Sequence, residues 1–71
     1  MIDEAVFEAN IKRLRAAFPG VEAISIVQAA SFFGCDPQTL REDRSFPVRH
    51  FGSGGKRVKV PLVSFARWLS V

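Results

Sequence analysis

The sequence predicts a mostly α fold with one small β-hairpin. Three observations carry this. Residues 3–18 and 25–44 place apolar side chains at helical spacing behind capping residues. A Gly-Ser-Gly-Gly stretch at 52–55 separates two short runs that read as strands. Pro61 then divides the second run from a last helical stripe of Leu62, Phe65, Ala66 and Leu69.

The first helix is expected over 3–18. Phe7, Ile11, Leu14 and Phe18 fall on one stripe, and Pro19-Gly20 ends the element. Asp3 is a candidate cap, and Ile2 could staple onto Phe7. Glu8 and Lys12 are spaced to pair at i, i+4. This helix either covers one face of a small domain or serves as a dimerisation helix, because Val6 and Ile2 widen its apolar stripe. Residues 21–24 read as a short, extended connector.

The stretch 25–44, SIVQAASFFGCDPQTLREDR, organises the rest. Ser25 and Gln28 form an S-x-x-Q capping box, so a helix should begin at Ile26. Gly34 supplies the left-handed residue that stops it. Asp36 caps the next helix, and Pro37 occupies its first position, where no amide hydrogen is missed. That second helix is expected over 37–43. Ile26, Ala29, Ala30 and Phe33 are the inward stripe of the first of these helices, with Phe32 beside it, and Leu40 is the inward anchor of the second. Two short helices joined by a tight glycine turn are a helix-turn-helix.

Phe46-Pro47 leaves the helical region. Strands are expected over 48–51 and 57–60, with Val58 and Val60 on one face and Arg57 and Lys59 on the other. A basic hairpin directly after a helix-turn-helix makes a winged helix-turn-helix, here preceded by an extra N-terminal helix. A final helix is expected over 62–70, with Phe65, Trp68 and Leu69 clamping the hairpin onto the earlier helices. The organisation is thus an N-terminal amphipathic helix and connector, 1–23, and a winged helix-turn-helix, 24–71.

Charge follows the same division. Residues 1–23 carry three basic against four acidic side chains, a net −1, and residues 24–71 carry seven against three, a net +4. Basic charge concentrated in the second helix of the pair and the hairpin is the footprint of a polyanion binder. The expected partner is double-stranded DNA. Gln38, Thr39 and Arg41 are the candidate base readers, since arginine suits guanine O6 and N7 and glutamine suits adenine N6 and N7. Arg44, Arg49, Lys56, Arg57 and Lys59 are the candidate phosphate contacts. Pro37 is expected to leave the amides of Gln38 and Thr39 free for a phosphate. Arg41 could instead pair with Glu42 or Asp43, two acids that otherwise limit promiscuity at the rim.

From 24 to 69 the order of parts resembles the excisionase-like, MerR-type winged helix domains. The matching pieces are Ala30 and Gly34, Pro37 through Arg44, Pro47, Gly52 through Lys59, Val60-Pro61 and Trp68-Leu69. The resemblance implies a second helix in the major groove and a hairpin on the backbone or minor groove. It implies a sequence-specific DNA-binding protein of excisionase or small transcriptional-regulator type, of the kind found in phage or mobile elements. Two departures stand out. The N-terminal helix lies outside the family core, and a full MerR-type regulator continues into a long dimerisation helix and effector domain, so no complete sensor of that type is expected here. The DNA-binding head of phage small terminase subunits looks similar. A protein-interaction adaptor with the same fold is a further alternative. Self-association through the N-terminal helix and cooperative tandem binding are both compatible with these parts.

Several classes are argued against. At 48% hydrophobic residues the composition is that of a folded domain, not a disordered chain. No apolar run approaches the length of a membrane span and no signal-peptide pattern is present, so a cytoplasmic protein with no membrane partner is expected. A single cysteine, Cys35, cannot form an internal disulfide, which fits a reducing compartment. One histidine, His50, and that one cysteine stand 15 positions apart with no third group to orient them. The glycine turn lacks the spacing and the following Ser or Thr of a phosphate loop, and no metal-ligand spacing occurs. No enzymatic activity and no cofactor are expected.

Overall fold

The structure, a computed structural model, describes residues 3–71. The staple between Ile2 and Phe7 lies outside the described residues, as does any widening of the first stripe by Ile2.

Helix α1 runs Glu4–Ala17, and the Asp3 carboxylate accepts from the amides of Ala5 and Val6 at 2.9 and 3.3 Å. It lies along the last helix, and Leu14 is fully buried against the core, with Phe7, Ile11 and Phe18 packed around it. The chain then forms β1, Ala23–Ile24, and α2, Ile26–Phe33. The capping box closes as its residues dictate: Ser25 Oγ accepts from the Gln28 amide at 3.0 Å, and the Gln28 side chain accepts from the Ser25 amide at 2.9 Å. Such caps contribute about 1 kcal/mol. Gly34, at φ 90°, ends α2 in the left-handed conformation that any Cβ would strain. Helix α3, Pro37–Glu42, follows after three residues, capped by Asp36.

Strands β2, Arg49–Phe51, and β3, Arg57–Pro61, make an antiparallel hairpin, closed by a 3-10 turn at Ser53–Gly55. Helix α4, Leu62–Leu69, begins directly from β3. The sheet has three strands in the order β1-β3-β2, all antiparallel, with Ile24 opposite Val60. The connector expected at 21–24 therefore contributes an edge strand, and the Leu62 amide donates to Glu22 O at 2.9 Å where β1 meets the start of α4. A two-residue strand shows no alternation in the sequence; only its partner reveals it.

Leu14, Ile24, Val60, Leu62 and Phe65 are the largest fully buried side chains, and Leu40 and Phe46 close the core on the α3 side. Each full burial of such a side chain contributes about 1.5–3 kcal/mol. Phe65 meets Phe32 and Phe46 edge-on at 6.0 and 5.5 Å, and Trp68 meets Phe33 and Phe46 edge-on, both at 5.1 Å. The inward stripe of α2 needs one correction. Phe33 is 49% exposed and covers only the Trp68 ring, whereas Phe32 is half-buried between Phe18 and Phe65. At the last turn of α2 the end of α1 draws Phe32 in, and Phe33 reaches past the rim of the core onto α4. Asn10, the buried polar residue, is satisfied: its amide donates to Ser70 Oγ at 2.9 Å and its carbonyl accepts from Arg13 at 3.2 Å.

Candidate functional site

Helix α3 is short, and its orientation follows from one anchor. Leu40 is 2% exposed, which leaves Gln38, Thr39 and Arg41 on the solvent side of the same two turns. Arg44 is exposed just past the helix end. The segment that leaves α3 is held by a relay of hydrogen bonds. The Trp68 indole donates to Ser45 Oγ at 3.1 Å, and the Ser45 hydroxyl and amide both donate to Asp43 Oδ1, at 2.7 and 2.8 Å. The hydroxyl and then the amide of Ser45 hold the Asp43 carboxyl below its ordinary value.

One expectation at α3 fails. The amides of Gln38 and Thr39 are not free: Gln38 N–H donates to Asp36 Oδ1 at 2.8 Å, and Thr39 N–H donates to the Asp36 carbonyl at 3.0 Å. The residue that caps the helix occupies the place a phosphate would take, and its carboxylate would repel one. Any phosphate contact here has to come from side chains.

The hairpin carries the remaining candidates on two sides. Arg49 stands directly opposite Lys59, and Phe51 directly opposite Arg57, so these four share one face. His50 and Val58 are paired on the other face, which continues into the buried Val60. Like charges directly opposite each other destabilise a hairpin, so the Arg49–Lys59 pair is a cost to the fold with no local return. The His50 ring nitrogen Nδ1 lies 3.3 Å from Gly55 O and ties the strand to its turn.

Between α3 and the hairpin lies an open groove of about 490 Å³. Ile26, Val27, Val48 and Val58 give it an apolar lining, and Arg41 from α3 and Lys56 from the hairpin turn stand on it together with the Asp43 carboxylate. The fold thus brings Arg41 and Lys56 to one groove and places Arg49, Arg57 and Lys59 on the opposite face of the hairpin. Among the described residues the one ion pair is Arg15–Glu22 at 3.6 Å, far from this region in the chain. Arg41 makes no ion pair with Glu42 or Asp43, and Arg44, Arg49, Lys56, Arg57 and Lys59 make none either. Sequence reasoning missed the groove, whose apolar lining joins residues from α2, from the segment just before β2 and from β3. It also passed over Phe51, whose signal was present as an aromatic residue at an outward strand position next to the turn.

Cys35 is a free thiol, half-buried against the core. Among the described residues no group of three or more His, Cys, Asp and Glu is placed to hold a metal ion, and no helix is long and apolar enough to cross a membrane. Compared with protein-family models, with curated proteins and with solved structures, the chain finds no match.

Proposed function

We propose that this chain is a winged helix-turn-helix DNA-binding module of excisionase or small transcriptional-regulator type. In this reading α2 and α3 are the helix-turn-helix, and the β2–β3 hairpin is the wing. Helix α3 enters the major groove, whose width of about 12 Å admits a helix. Gln38, Thr39 and Arg41 face the base edges there, and the apolar lining beside Arg41 suits thymine methyl groups. Arg44, Lys56 and the wing cations Arg49, Arg57 and Lys59 take phosphates.

The observation that carries the reading is the set of six cations on α3, its exit and the hairpin that have no carboxylate partner. Glu42 and Asp43 stand between Arg41 and Arg44, yet among the described residues neither lies within ion-pair distance of a cation, and the hairpin segment 48–61 carries no acid at all. A hairpin that sets Arg49 against Lys59 has an external anion to gain from. Roughly five to seven phosphate contacts by one small domain give weak binding with a steep salt dependence.

The test is fluorescence anisotropy with a pool of random-sequence duplexes over a salt series, followed by sequencing of the bound fraction. The expected result is binding at low salt, a steep loss as salt rises, and an enriched motif. No binding at low salt overturns the proposal and turns attention to a protein partner.

A further inference from the structure

Six of the seven phenylalanines are engaged in the fold. Phe18, Phe32, Phe33, Phe46 and Phe65 meet other aromatic rings, and Phe7 packs on the core beneath the Arg67 guanidinium. Phe51 is the exception. It is 42% exposed and has neither a ring nor a guanidinium partner among the described residues. It sits on the last residue of β2, at the edge of the turn, on the face it shares with Arg49, Arg57 and Lys59.

This placement has a definite chemistry. Neighbouring same-face positions along a strand are about 7 Å apart, and directly opposite positions about 5 Å. An apolar ring at the tip is therefore backed by three cations within a patch narrow enough to meet the two phosphate rails of a minor groove, which is about 6 Å wide. The aliphatic stem of Arg57 lies beside Gly52, where an added Cβ would stand 3.5 Å from it, so this side chain runs along the start of the turn. Exposed phenylalanine gains nothing from water. Beside unpaired cations, the complementary surface is one that offers both negative charge and flat apolar faces, as the stacked base pairs of a duplex do.

We propose that Phe51 is a wedge that the hairpin inserts into the minor groove of duplex DNA, partly unstacking one base step while Arg49, Arg57 and Lys59 hold the flanking phosphates. The proposal rests on the DNA-binding reading above. Apolar wedges of this kind separate neighbouring bases and kink the duplex toward the major groove. Pyrimidine–purine steps, which unstack most easily, are the preferred point of entry. Specificity then arises at a step that no hydrogen bond reads.

The test uses the full chain and a 30-base-pair duplex rich in TpA steps, with 2-aminopurine replacing adenine at those steps. Wild-type protein is expected to raise the 2-aminopurine emission on binding, the mark of unstacking. Phe51→Ala should abolish that rise and weaken binding about tenfold, by the usual contribution of one stacked aromatic. Its salt slope should stay unchanged, because no charge is removed. Phe51→Leu, still a wedge, should keep part of both effects. On a duplex with a mismatch at the probed step, the deficit of Phe51→Ala should shrink, since the unstacking is already done. Wild-type binding with a steep salt slope but no rise in emission overturns the wedge and leaves the DNA-binding reading standing. So does a Phe51→Ala protein that matches wild type. Absence of binding by every variant at low salt overturns both readings together.

Discussion

The hairpin cations permit the most quantitative prediction. Lys56 lines the groove beside Arg41, and Arg57 lies on the opposite face of the hairpin, across from Phe51. Both are exposed, so replacing them with alanine removes charge without opening the core. If the five cations assigned to phosphates (Arg44, Arg49, Lys56, Arg57 and Lys59) all engage them, log Kobs should fall with log salt at a slope of about −4.5, at −0.9 per contact. Wild type then loses about 500-fold in affinity between 50 and 200 mM salt. Lys56→Ala with Arg57→Ala should lower the slope to about −2.7, a loss of about 40-fold over the same range. The assay is fluorescence anisotropy on a random-sequence duplex, and an unshifted thermal unfolding midpoint shows that the fold is intact. Each single variant should account for about half of the change. An unchanged slope in the double variant would remove the hairpin from the interface. A change confined to Lys56→Ala would restrict contact to the groove side and would also count against Phe51 as a wedge.

Three further outcomes are expected. Arg41→Ala should cost about 1–3 kcal/mol on an enriched site and relax preference at one base position, read by competition between site variants; equal loss on all sequences would make Arg41 a phosphate contact. Leu14→Ala should cost about 2–5 kcal/mol, most of what a core of this size supplies, so thermal denaturation should show a largely unfolded protein; an unshifted midpoint would mean that α1 is dispensable to the core. The Asp43 carboxyl is held below its ordinary value by Ser45, so its contribution to stability is present above the unfolded value of about 3.9 and is lost as pH falls through the lower folded value. Ser45→Ala should therefore flatten the pH dependence of stability below about pH 4; an identical acid limb in both proteins would show that this hydrogen bond does not matter.

Local chemistry made most of the element boundaries legible. Ser25 with Gln28, Gly34, and Asp36 with Pro37 each act within a few residues of themselves, and α2 and α3 begin where those residues require. Strand alternation placed Val60 in the core and Arg57 and Lys59 outside it for the same reason, since the two-residue period needs no partner to be read. The amides of Gln38 and Thr39 were misjudged even though the competitor, Asp36, is adjacent. A helix cap and a phosphate want the same N–H groups, and the side chain already tethered there wins.

By itself, the sequence determined the capped helix pair, the hairpin with its glycine turn, the apolar stripes of α1 and α4 and the uneven distribution of charge. The tertiary structure alone decided that Ala23 and Ile24 pair with Pro61 and Val60, because a two-residue strand is defined by its neighbour and not by its own pattern. It decided that Phe32 turns inward and Phe33 covers Trp68, because adjacent residues of a helix differ by only about 100° and the surrounding elements settle which one is buried. It decided that Arg41 and Lys56 meet over one groove while Arg49, Arg57 and Lys59 gather around Phe51, because the facing of α3 against the hairpin depends on Leu40 and Phe46 in a core assembled from distant parts of the chain.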